Sequence, residues 1–116
     1  MEQPAATGRR LQLIVEHGWV VENLHQLGPG SMYHLAYATA HTDPQVLDDI
    51  RNGLLGPGAY AEIVLLQEGH LHPVGAVEIS QINDYLSYVR FDFRLLELKD
   101  DVPPPPQGAR LLCRYV

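Results

Sequence analysis

The chain has 116 residues, 46% of them apolar and 19% charged, which is enough to bury the core of one ordinary domain and too apolar for a disordered segment. Fourteen acidic residues against eight basic ones give a net charge of −6, which disfavours a phosphate backbone and suits a basic or neutral protein surface or a small molecule. A single cysteine, Cys113, excludes an internal disulfide; the N-terminal stretch lacks a secretory pattern and no apolar run is long enough to span a bilayer, so the expectation is a cytoplasmic protein with neither membrane nor nucleic-acid partner.

Residues 1–6 read as a frayed tail. Thr7 can cap a first helix over 8–17, whose stripe is Leu11, Ile14 and Val15 and which Gly18 ends. The stretches 19–27 and 32–40 are rich in β-branched and aromatic residues and flank Gly-Pro-Gly, which predicts a hairpin. With an even loop, Leu24 faces Leu35, Glu22 faces Tyr37 and His25 faces His34.

Residues 42–53 predict a second helix: Asp43 as cap, Pro44 at the first position, Asp48 and Asp49 in the early turns, Val46, Leu47 and Ile50 as the buried stripe, Gly53 as the stop. The run 59–67 is apolar on both faces around Ile63–Leu66 and suggests an interior strand, with an interior helix segment as the competing reading. In 71–80, Pro73 and Gly75 predict an edge strand or a bulge. Over 85–98, Tyr85, Ser87, Val89, Phe91, Phe93 and Leu95 alternate with Leu86, Tyr88, Arg90, Asp92 and Arg94, the pattern of a long strand with one apolar face. The prolines within 100–108 require an extended connector, and 109–116 predicts a short last strand. The fold class that follows is α+β in one domain, with two short helices packed on one face of a mainly antiparallel sheet of about five to six strands.

The tetrapeptide Leu-Gly-Pro-Gly occurs at 27–30 and again at 55–58. A phosphate cradle needs consecutive backbone N–H donors at a helix start; here proline removes a donor, each copy runs into a strand-like segment, and no Lys-Ser/Thr pair follows. Pro followed by Gly is the chemistry of a type II turn, and outside the tetrapeptide and its following tyrosine the two halves do not align as a duplication.

Six histidines stand out, yet none falls in a strong zinc-binding spacing. The metal candidates that remain are His70 with His72, on one face of a strand, and His25 with His34 across the predicted hairpin, with Glu68 or Glu78 as further ligands. Their plainer reading, as half-exposed turn and strand residues, is the stronger, so no metal and no cofactor is expected. There is no G-x-S-x-G elbow or readable carboxylate pair, and Ser31, Ser80 and Ser87 lack a nucleophile's context. Cys113 reads as a small apolar residue, although Arg110 and Arg114 would activate it if they lay near. Pro103–Pro106 fits a stiff spacer better than a polyproline ligand.

What remains is the polar side of the long strand. Tyr88, Arg90, Asp92 and Arg94 share one face, and Tyr and Arg are residues that anchor protein interfaces. The expectation is a non-enzymatic interaction protein, a small acidic regulator, immunity protein or inhibitor of bacterial or phage type, that binds another protein or a second copy of itself. The alternative is a small enzyme or ligand-binding domain with a His/Tyr-lined pocket, metal-dependent or not. Mimicry of nucleic acid is weaker still, because the acidic residues are scattered.

Overall fold

Leu11–Val15 forms a strand, β1, where a helix was expected. The computed structural model describes residues 10–16, 24, 26–98 and 112–115. The remaining elements are β2 (Met32–Ala38), a 3-10 turn (Thr39–His41), the helix α1 (Pro44–Arg51), β3 (Tyr60–Gln67), β4 (His70–Asp84), β5 (Tyr88–Leu98) and β6 (Cys113–Tyr115). The six strands make one mixed sheet in the order β2-β5-β4-β3-β1-β6. Pairing is antiparallel except between β1 and β3, so the expected mainly antiparallel sheet holds only roughly.

β1 escaped the sequence reading because its apolar residues satisfy two periods at once. Leu11, Ile14 and Val15 fit a helix stripe, while Leu11, Leu13 and Val15 alternate as in a strand. Pairing with β3 and β6 decides for the strand: Leu11, Leu13 and Val15 enter the main core, and Ile14 joins Val64 and Leu71 in a second cluster. Thr7 and Gly18 lie outside the described residues, as do the tail 1–6 and the connector 100–108.

The described residues do not form the predicted hairpin. Leu24, Gln26 and Leu27 are helical, and β2 pairs instead with β5, which sets Leu35 against Phe91, Tyr37 against Val89 and His34 against Asp92. Glu22 and His25 lie outside the described residues. Among the described residues the helical content is α1, this short helical turn and the 3-10 turn, so the expected pair of helices on one face is only partly matched.

α1 follows its local signals. The Asp43 carboxylate accepts the Gln45 N–H at 3.0 Å, Pro44 occupies the first position, and Gly53 follows with φ of 74°. Val46 is fully buried, and Leu47 and Ile50 pack against the core. Asp48 and Asp49 fall beyond the first turn, which holds no acid; Asp49 instead accepts the Tyr115 hydroxyl at 2.6 Å.

β3 is the interior strand that its doubly apolar run predicts, with Ile63 in the main core and Val64 in the second cluster. β4 lies between β3 and β5 and is no edge, but it is bulged as Pro73 and Gly75 suggested. Its register against β3 shifts between Ile63 and Val64, leaving Val74 as the extra residue. Val74 and Val77, an odd spacing apart, can then both reach the main core. Between β3 and β4, Glu68 and Gly69 both have positive φ, as a two-residue type I′ turn requires.

The sheet curls until its two edges meet at one end. β2 and β6 are opposite edges, yet Thr42, just past β2, bridges Cys113 of β6. The Asp43 N–H donates to the Cys113 carbonyl and the Leu112 N–H to the His41 carbonyl, each at 2.8 Å. Inside the curl, Val89, Phe91, Phe93 and Leu95 of β5 are completely buried. Each such side chain contributes about 1.5–3 kcal/mol relative to leaving it in water.

Candidate functional site

Because alternate residues of β5 fill the core, Tyr88, Arg90, Asp92 and Arg94 project from the convex side of the sheet. Ladder register sets their neighbours: Ala38, Ala36, His34 and Met32 on β2, and Asn83, Gln81 and Glu78 on β4 beside Arg90, Asp92 and Arg94. The sequence brought the four residues onto one face; only the register shows what flanks them.

The arginines on this face are held by carboxylates. Arg90 Nε donates to Asp92 Oδ1 at 2.7 Å along the strand, and Arg94 Nη2 donates to Glu78 Oε1 across to β4. The hydrogen bond to Asp92 raises the Arg90 pKa. At the β4–β5 turn the Tyr85 and Tyr88 rings stack with centroids 4.8 Å apart, and Leu86, at φ 73°, is largely exposed. The Asp84 carboxylate accepts the Arg51 Nε–H at 2.7 Å and the Leu86 N–H at 2.9 Å, which lowers its pKa, the Arg51 bond most. This turn joins an aromatic pair to the arginine row. Tyrosines spaced by three around a turn were the available sequence signal, but reading 85–98 as one straight strand put Tyr85 and Tyr88 on opposite faces.

A polar row missed at the sequence level runs across the other half of the sheet. Arg114 Nε donates to Gln12 Oε1, and Gln12 Nε2 donates to Glu62 Oε1, each at 3.1 Å. β6, β1 and β3 are thus tied by side chains as well as by the ladder.

Of the metal candidates, His25 lies outside the described residues, so the pair of His25 with His34 falls outside them too. His34 is exposed on β2, and His70 and His72 lie beside the β3–β4 turn with ring centroids 6.4 Å apart. Among the described residues no three His, Cys, Asp or Glu side chains group together, and Glu78 is engaged with Arg94. Cys113 is buried; burial and, secondarily, the Asp43 charge push its thiol pKa far up, so no thiolate forms at neutral pH. Arg114 turns to Gln12, and Arg110 lies outside the described residues. The Ser31 and Ser80 hydroxyls donate to the Leu27 and Asp92 carbonyls. Pro103–Pro106 lie outside the described residues, and no helix among those described is long and apolar enough to cross a membrane. Compared with known proteins, the chain matches no family model, no curated protein and no solved structure.

Proposed function

We propose that this chain is a non-enzymatic, cytoplasmic interaction protein, a small acidic regulator, immunity protein or inhibitor of bacterial or phage type, and that it binds its protein partner through the outward face of β5. The observation that carries the reading is the row Tyr88, Arg90 and Arg94. Phe91, Phe93 and Leu95 anchor its backbone in the core, and Asp92 and Glu78 hold its guanidinium groups. Aromatic rings and arginines fixed before binding lose little side-chain entropy on docking, which is how such residues dominate interface energies. The net charge of −6 favours a partner surface that is basic or neutral.

The test is affinity capture from the native host with wild-type chain and with the Y88A/R90A double variant. Both substituted side chains are substantially exposed, so the double variant keeps its melting temperature within a few degrees. One partner is retained by wild type and by L54A, an exposed change elsewhere, and is lost with Y88A/R90A. A partner captured equally by all three would refute the assignment of the surface.

A further inference from the structure

β2 is an edge strand, and among the described residues no strand pairs with its outer side. Its one strand partner among them is β5, and two contacts fix the phase of that ladder: the Leu95 N–H donates to the Ser31 carbonyl at 2.9 Å and the Thr39 N–H to the Ser87 carbonyl at 3.0 Å. In an antiparallel ladder bonded residues alternate. Tyr33, Leu35 and Tyr37 therefore turn their backbone groups toward β5, and Met32, His34, Ala36 and Ala38 turn theirs outward. Of these outward groups, the Ala38 carbonyl accepts the Thr42 hydroxyl at 2.9 Å; among the described residues no hydrogen bond reaches the others.

Edge strands are usually blunted by a lysine, a proline, a bulge or shortness. β2 reads Met-Tyr-His-Leu-Ala-Tyr-Ala, seven residues with no Lys, Pro or Gly, and its register against β5 is unbroken. The other edge is managed: β6 has three residues and is bridged by the segment after β2. Among the described residues, one edge of the sheet is closed and the other is left as a pairing template.

We infer that β2 is a self-association edge, pairing antiparallel with β2 of a second copy about a twofold axis at Leu35. That register uses the whole strand. It sets Met32 opposite Ala38, His34 opposite Ala36, and Leu35 opposite Leu35 of the second copy. On the outward face each large side chain meets an alanine, so strand order itself makes the edge complementary to its own inverse. β2 also carries no Asp, Glu, Lys or Arg, so two chains of charge −6 meet along an uncharged seam. Half-buried Tyr33 and Leu35 would lose their remaining exposure there. This seam is separate from the Tyr88–Arg94 face, and either assignment can fail alone.

Sedimentation velocity over a concentration series of the full chain tests the inference, with A36P and A36K as variants. The Ala36 N–H points away from β5, so proline there removes an edge donor without cutting the existing ladder, and lysine adds a charge to the exposed face. A wild-type dimer is expected, weakened roughly tenfold or more by A36P, as loss of two symmetry-related backbone hydrogen bonds implies, and weakened also by A36K through the charge it sets beside the seam. The L35C chain, oxidised, should cross-link into a dimer, since non-bonded antiparallel partners have Cα atoms about 4.5 Å apart, within disulfide reach. A monomer at every concentration, or a dimer that A36P and A36K leave intact, overturns the inference; M32C cross-linking while L35C does not overturns the register.

Discussion

The Tyr37 hydroxyl donates a 3.0 Å hydrogen bond to the carbonyl of Ile14, and so ties β2 to β1 across the inside of the curled sheet. Tyr37 is 6% exposed and its ring meets Phe91 edge to face at 6.1 Å. In the Y37F variant the ring packing stays and the Ile14 carbonyl loses its donor. An unsatisfied buried acceptor costs about 1–3 kcal/mol. Chemical denaturation should show that loss with an unchanged denaturant slope; a variant as stable as wild type would mean that water replaces the hydroxyl.

Alkaline pH should weaken the fold well before its arginines titrate. Burial raises the Tyr37 hydroxyl well above its ordinary 10.0 and the Cys113 thiol well above its ordinary 9.0. Both groups hold their protons more tightly folded than unfolded. Their contribution is therefore complete below the unfolded values and is lost as pH rises through 9.0 and then 10.0. The urea midpoint should be flat on this account up to about pH 8.5 and fall above it. Replacing Cys113 with Ala lowers the plateau by leaving a cavity but moves the onset of the fall upward. A thiol reagent should react with Cys113 only on unfolding. A midpoint that holds level to pH 11, or rapid labelling of the native chain, would contradict this account.

Gly30 and Gly58 do the same work at two places. Both have φ of 94°, and each sits in a Gly-Pro-Gly turn closed by an N–H to carbonyl bond, Ser31 to Gly28 at 3.3 Å and Ala59 to Gly56 at 3.2 Å. Gly30 and Ser31 together bond the single residue Leu95, and Gly58 and Ala59 bond Ile79 in the same way. Each copy is a type II turn running into a bulge whose first residue is a left-handed glycine. A Cβ at either position meets nothing within 4 Å, so G30A and G58A pay for backbone strain alone, about 1–2 kcal/mol each. Gly56 has open space and no left-handed φ, and G56A should be neutral or slightly stabilising. Thermal melts of the three variants check this ranking.

Local chemistry determined what depends on neighbours in the chain. The Asp43–Pro44 cap of α1, the turn character of both Leu-Gly-Pro-Gly copies and the alternation of β5 were legible because a cap, a turn residue or an unambiguous period acts within a few residues, whereas the apolar run of β3 fitted a strand or a buried helix. The outward set Tyr88, Arg90, Asp92 and Arg94 follows from that alternation alone.

Tertiary pairing decided the rest. β1 carries two periods at once, and only the cross-strand bonds of β3 and β6 select the extended one. Sequence proximity suggested that β2 would fold back on 19–27, but the long, fully apolar inner face of β5 offers it a better partner, and among the described residues no strand lies on its other edge. The convergence of Cys113 on Thr42 and of Tyr37 on Ile14 joins residues far apart in the chain, and no local signal encodes it. Backbone groups in a sheet are satisfied only by another strand, and which strand that is depends on the faces that the whole chain must bury together.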